Sequence, residues 1–176
     1  MDATSTRSPN RLLTSLPATD FQLIRPHLKT IDLVHEAVLF EADDPVTRVY
    51  FPHSGIISLV VQLRGGEMIE AAMVGRDSIV GASSAMDGMV ALNTGIVQVP
   101  GAASTLDVKR LRKLADDSNA FRTTLIRHEE ALFAQAQQSA ACNVSHTVEA
   151  RLARWLLRSR DLTSSEIGRA SCRERV

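Results

Sequence analysis

The stretch Val74 to Met86, VGRDSIVGASSAM, is where residue types and spacing come nearest to ligand chemistry. Gly75 and Gly81 bracket the pair Arg76-Asp77, and the small and hydroxyl-bearing residues Ala82, Ser83, Ser84 and Ala85 follow. Glycines let a backbone turn tightly and bring its N–H groups up to a phosphate. A buried phosphate also needs a cation, because the charge-assisted pair carries much of the binding. Arg76 is the one nearby candidate. It precedes the turn, and it reads as a surface residue paired with Asp77. The segment therefore has the outline of a phosphate cradle, and its charge has to be sought elsewhere.

Other chemistries find less support. Histidines 27, 35, 53, 128 and 146 are scattered without a metal-ligand spacing, so neither a metal nor haem is expected. Cys142 and Cys172 are too few for a disulfide framework, a four-ligand metal site or an iron–sulfur cluster. Cys142 falls in an apolar helical setting, which quiets a thiol. There is no Gly-x-Ser-x-Gly elbow, no P-loop, no His-Glu-x-x-His and no His-x-His pair. Glu129-Glu130 reads as a solvated helix face. No catalytic residue and no enzymatic activity are expected.

Composition narrows the class. A chain of 176 residues with 44% hydrophobic and 23% charged residues suits one folded domain plus an appendage. Twenty basic and twenty acidic residues cancel, which removes the overall electrostatic case for nucleic-acid binding but leaves room for a local patch. The longest apolar run, GIISLVV, is far short of a membrane span, and the polar N-terminus lacks a secretory signal. A cytoplasmic protein with no membrane partner is expected.

The elements that must position the glycine segment follow from periodicity. Leu12, Leu13, Leu16, Phe21 and Ile24 mark two short helices, the second capped by Thr19 or Asp20 and ended by Pro26. From Leu28 the pattern turns to seven or eight short strands broken by turn signals, including a hairpin with Gly65-Gly66 at its turn. Such a series suggests an antiparallel sandwich or roll. Asp107 caps a helix, and a longer helix runs from about Asn119 to Asn143. Leu125, Leu132, Ala136, Ser139 and Ala140 form a seam along it, large at the start and small at the end. That seam fits self-pairing into a homodimer. A last helix begins at Ser145, with Val148, Leu152, Trp155 and Leu156 on one side.

In this order the elements, and the phrases NRLLTSLP, VYFPHSGIISLVV, EAAMVGRDSIVG and QSAACNVSHTVEARLARWLL, resemble the Crp/Fnr family of bacterial transcription regulators. The resemblance implies a mainly β fold with flanking helices. It would be a cyclic-nucleotide-binding-like antiparallel jelly roll (a double-stranded β-helix) over residues 10–117, followed by a dimerisation helix over 118–143. Residues 144–163 would open a winged helix-turn-helix domain, and residues 1–9 would be disordered. Residues 164–176 are set aside, because Ile167 to Val176 reads as a translated sequencing adapter. The chain is then expected to be a fragment cut before its recognition helix, with DNA a partner only of the full-length parent.

In family members that bind cyclic AMP, the resemblance implies a turn glycine, a glutamate for the ribose and an arginine for the phosphate. Gly81 fits the turn, whereas Ala82 and Ser83 stand where the glutamate would follow and Leu92-Asn93-Thr94 where the arginine would precede the next strand. Cyclic AMP binding is therefore not expected. The effector pocket, if it serves another small molecule, would involve Gly81, Ala82, Ser83, Ser84, Asn93, Thr94 and Gln137. No cofactor is assigned. The alternative is a standalone ligand-binding or protein-interaction module on the same fold.

Overall fold

The computed structural model describes residues 8–87 and 90–163, so residues 1–7 and the adapter-like run 164–176 lie outside the described residues. Helices α1 (Arg11–Ser15) and α2 (Ala18–Ile24) lead into strands β1 (Lys29–Leu33), β2 (Val38–Phe40), β3 (Arg48–Pro52), β4 (Ile56–Gln62) and β5 (Met68–Val74). Helix α3 (Ala82–Asp87), strands β6 (Thr94–Val99) and β7 (Gly101–Asp107), and helices α4 (Val108–Asp117), α5 (Asn119–Ser145) and α6 (Val148–Thr163) complete the order. The strands form two antiparallel sheets, β1-β7-β3 and β2-β6-β4-β5, the arrangement of a jelly roll.

Strand β4 explains the run GIISLVV. Its first five residues are all buried, Ile57 and Leu59 inside the roll and Ile56 beneath α6. A strand covered on both faces loses the alternation of a half-exposed one. The β4–β5 hairpin closes as Leu63 N donates to Glu67 O and Gly66 N donates to Leu63 O. Only Gly66 of the glycine pair takes a positive φ, +91°, so the turn is a three-residue loop ending in a left-handed glycine.

Two clusters fill the interior. Leu33, Ile57, Leu59, Val74, Val80 and Val97 pack within the roll. Leu13, Phe51, Ile79, Leu106, Leu111, Phe121 and Leu125 join it to the helices. Asn10, fully buried, caps α1 through Leu13 N and donates from Nδ2 to the carbonyls of Pro52 (2.9 Å) and Ser78 (2.8 Å). Pro17 rather than Thr19 or Asp20 stands at the α2 N-cap. Asp20 instead turns inward and accepts the Ser118 hydroxyl at 2.6 Å, while Ser118 caps α5 through Phe121 N. Asp107 caps α4 as its sequence position indicated.

The last helix departs most from expectation. Helix α5 runs through Ser145, and the break falls at His146-Thr147, where the Thr147 hydroxyl accepts Ala150 N. Helix α6 then folds back over β4 and β5. Leu162 is buried against Ile56 and Met73, with Trp155 beside them. A Cβ on Gly75 would lie 2.9 Å from the Leu162 side chain, so the glycine forms the notch that receives it. Val148, Leu152 and Leu156, which the sequence places on one side with Trp155, are exposed.

The tightest backbone crossing lies where the roll closes on itself. Gly55 has φ +80°, and a Cβ there would stand 2.5 Å from the Val99 carbonyl oxygen; one on Gly101 would meet the Gly55 amide at 2.7 Å. Both obstacles are main chain and cannot rotate away. Gly55→Ala is expected to cost about 2 to 4 kcal/mol, combining left-handed strain with overpacking. Urea denaturation measures it, and a loss under about 1 kcal/mol would show that the crossing relaxes.

Candidate functional site

A cleft of about 240 Å³ opens between the glycine segment, the sheet β2-β6-β4-β5 and α5. Its floor is apolar, with Phe40, Leu59, Ala72 and Val80. Gly81, Ser83, Ser84, Leu92 and Asn93 form one wall, and Glu129, Leu132, Phe133 and Ala136 of α5 form the other. Gly81 takes φ +87° and its carbonyl accepts Ala85 N, which starts α3 directly after the turn. A Cβ there would approach Val46 at 3.2 Å, so glycine suits both the angle and the space.

The expected pocket residues divide. Gly81, Ser83, Ser84 and Asn93 come together at the cleft. Ala82 instead is buried in the core. Thr94 takes its place on β6 and its hydroxyl accepts Ala42 N at 3.1 Å. Gln137 is exposed and does not line the cleft, because its neighbour Ala136 holds the inward position on α5. The α5 contribution of Glu129, Leu132 and Phe133 was not legible, since nothing local ties them to a turn fifty residues earlier.

The seam on α5 is also redistributed. Leu125 is in the core, Leu132 packs against the roll, and Ser139 accepts a hydrogen bond from Arg154 Nη1 at 3.1 Å. Ala136 faces the cleft. Of the five, Ala140 alone is exposed. The outward face consists of Ile126 (52% exposed), Glu130, Phe133 (65%), Gln137, Ala140 and Val144 (90%). Their spacing alternates four and three residues, the a/d rhythm of a helix pair.

The charges near the cleft are informative. No lysine, arginine or histidine lines it among the described residues, and Glu129 is its one charged group. Arg76 does not pair with Asp77: its carbonyl accepts Arg11 N, while Asp77 takes a hydrogen bond from Arg158 Nη1 at 3.2 Å. One carboxyl, Glu70 on β5 beneath α6, is shifted by burial. Burial raises its pKa, against the opposing effects of hydrogen bonds from Ser58 (2.5 Å) and Trp155 and of the Arg154 charge.

Comparison with known proteins agrees with this geometry. Residues 32–118 match the cyclic nucleotide-binding domain family. A search of the curated proteins finds no match by sequence. Among solved structures, the chain is similar to a transcriptional regulator assigned to the Crp/Fnr family from Eubacterium rectale, at 13% identity over 88% of this chain and 73% of that one, with a TM-score of 0.73. It is similar to FixK2 from Bradyrhizobium japonicum, at 16% identity over 76% and 66% with a TM-score of 0.67. It is also similar to CLP, the c-di-GMP responsive global regulator of Xanthomonas campestris, at 14% identity over 80% and 70% with a TM-score of 0.65. At these identities the likeness establishes the fold, antiparallel sheets of the cyclic nucleotide-binding type followed by long helices. Among the described residues no helix is long and apolar enough to cross a membrane.

Glu70 gives a pH prediction. Its folded-state pKa lies above the ordinary value of 4.5, so the folded protein takes up the proton first as pH falls. Stability from this group therefore increases as pH drops from the raised pKa towards 4.5. Glu70→Gln, neutral throughout, should be more stable than the wild type at pH 7. That advantage should shrink towards pH 4.5, as thermal melts across the range would show. An advantage that does not change with pH would contradict the burial argument.

Proposed function

We propose that the chain is the effector-sensing and dimerising part of a bacterial Crp/Fnr-type transcription regulator, non-enzymatic, with DNA read by the full-length parent. The observation that carries the reading is the double contact of the cleft. A ligand between Ser83, Ser84 and Asn93 on one side would touch Glu129, Leu132 and Phe133 on the other, and Phe133 also belongs to the outward stripe of α5. Pocket occupancy and helix pairing would then act on one helix, which is how a ligand biases a two-state dimer. The exposed Val148, Leu152 and Leu156 of α6 suit a helix that opens a further packed domain.

The effector in this reading is not cyclic AMP. A cyclic phosphate in this cleft would meet Glu129 and no cation, forgoing a charge-assisted pair of about 1.5 to 3 kcal/mol. The volume of about 240 Å³ also falls below the usual range for nucleotide-sized ligands. A small neutral effector, held by the hydroxyls of Ser83 and Ser84 and the Asn93 amide, fits the lining better.

Calorimetric titration with cyclic AMP should give no saturable heat in the micromolar range, and micromolar binding would sink the argument from charge. Sedimentation at rising concentration should show a dimer. Phe133→Glu, which puts a carboxylate at the centre of the outward stripe, should shift it to monomer with the roll intact by circular dichroism. A wild-type chain that stays monomeric at high concentration would remove the pairing.

A further inference from the structure

A second and larger cleft lies outside the roll, where α1, the segment 77–78, α5 and α6 meet, and it encloses about 640 Å³. Three guanidinium groups line it: Arg127 from α5, and Arg154 and Arg158 from α6. Residues four apart share a helix face, so Arg154 and Arg158 reach the cleft from one side and Arg127 from the other. Asp77 is the only carboxylate among the described residues of the lining, and Glu70, which feels the Arg154 charge, stands behind it, so the three guanidinium groups outnumber the carboxylates around them by one.

These arginines are incompletely used. Arg158 gives one Nη1 hydrogen bond to Asp77, and Arg154 gives one to Ser139. The Nε–H groups of both are buried with no hydrogen-bond partner among the described residues. Those Nε–H groups are out of a ligand's reach, and an anion in the cleft would be met by the terminal Nη groups, of which Arg158 and Arg154 each commit one, to Asp77 and Ser139. His128 does not compete for it: its Nε2 accepts Ile79 N at 3.3 Å, and its Nδ1 faces Glu129.

We propose that this cleft binds a small phosphorylated molecule carrying at least two negative charges, held between Arg127 and the Arg154–Arg158 pair. A planar carboxylate can be satisfied by one guanidinium fork. Phosphate oxygens point in several directions, which suits donors converging from two helices. Ser15, Thr124 and Gln135 line the remaining volume and offer neutral hydrogen bonds to the rest of the molecule. The site exists only while α6 lies on the roll, so its ligand fastens α6 to the sensor half. The inference depends on neither the roll cleft nor the pairing of α5.

The test is titration of the whole chain with inorganic pyrophosphate at low ionic strength, followed by calorimetry and by the emission of Trp155, the only tryptophan and a residue of α6. Saturable binding that moves Trp155 emission is expected. Arg127→Gln and Arg154→Gln should each weaken it by about tenfold or more, the loss of one charge-assisted contact. Arg127 is exposed on α5, so its variant should fold normally. Arg64→Gln, which removes the same charge from the exposed β4–β5 turn and lines neither cleft, should leave the affinity within about twofold, as distant sites are nearly independent. The absence of saturable heat, or binding that survives both arginine variants, would overturn the site. Citrate binding as tightly as pyrophosphate would overturn the assignment to phosphate.

Discussion

The fold depends on how the segment Gly75–Gly81 is gripped. Six residues between β5 and the turn at Gly81 receive contacts from nearly every other part of the molecule. Arg11 N donates to the Arg76 carbonyl, and Asn10 Nδ2 to that of Ser78, which fixes the N-terminal helices. Tyr50 and Val80 exchange both backbone hydrogen bonds at 3.0 and 2.8 Å, which joins the segment to β3. His128 accepts Ile79 N from α5, Arg158 reaches Asp77 from α6, and Leu162 fills the Gly75 notch. A stretch whose one β-bridge joins Val80 to Tyr50 must have its other buried polar groups met from elsewhere. Here the groups that meet them belong to α1, α5 and α6, so the segment locates those helices on the roll.

Much of this was legible in the residues and the rest was not, for physical reasons. Period, caps and turn glycines mark out the strands, the Asp107 cap and the long helix, because each is decided within a few residues. Gly81, Ser83, Ser84 and Asn93 fall within two short segments that a β-roll brings together, and they meet at the cleft. The face of α5 that turns outward is different. Leu125, Leu132 and Ser139 repeat every seven residues, and Ile126, Phe133 and Ala140 repeat at the same interval one position on. Both stripes begin with large apolar residues, so periodicity alone allows either to face the roll. Tertiary packing of Leu125 and Leu132 decides it. In the same way the spacing of α6 placed Trp155 on one side with Val148, Leu152 and Leu156, whereas the notch at Gly75 selects Leu162, with Trp155 beside it, for burial.

The distribution of charge follows a consistent pattern. The turn that resembles a phosphate cradle has its glycine and its hydroxyls, yet the one charged residue among the described residues lining its cleft is Glu129. The positive groups stand on the other side of α5, with Arg127, Arg154 and Arg158 facing a separate cleft. The two openings therefore differ in the ligands they tolerate. Low polarity and an anionic wall would disfavour phosphate in the roll, and converging guanidinium charges would favour it outside.

The two clefts are also joined physically. Leu132 of α5 lines both, with Glu129, Phe133 and Ala136 directed to one and Arg127, His128 and Gln135 to the other. A rotation or shift of α5 about its axis must change both openings together, because they occupy the same turns of one rigid helix. If ligands at the two clefts prefer different settings of α5, each weakens the other by the same factor, and if they prefer the same setting each strengthens the other equally. The outward stripe through Phe133 would add a third party to this linkage if two such helices pair, since pairing also selects a setting. Phe121, Leu125 and His128 pack the N-terminal half of this helix onto the roll, so a change of setting there is carried along the helix to its C-terminal half. That half is the part that leads into α6.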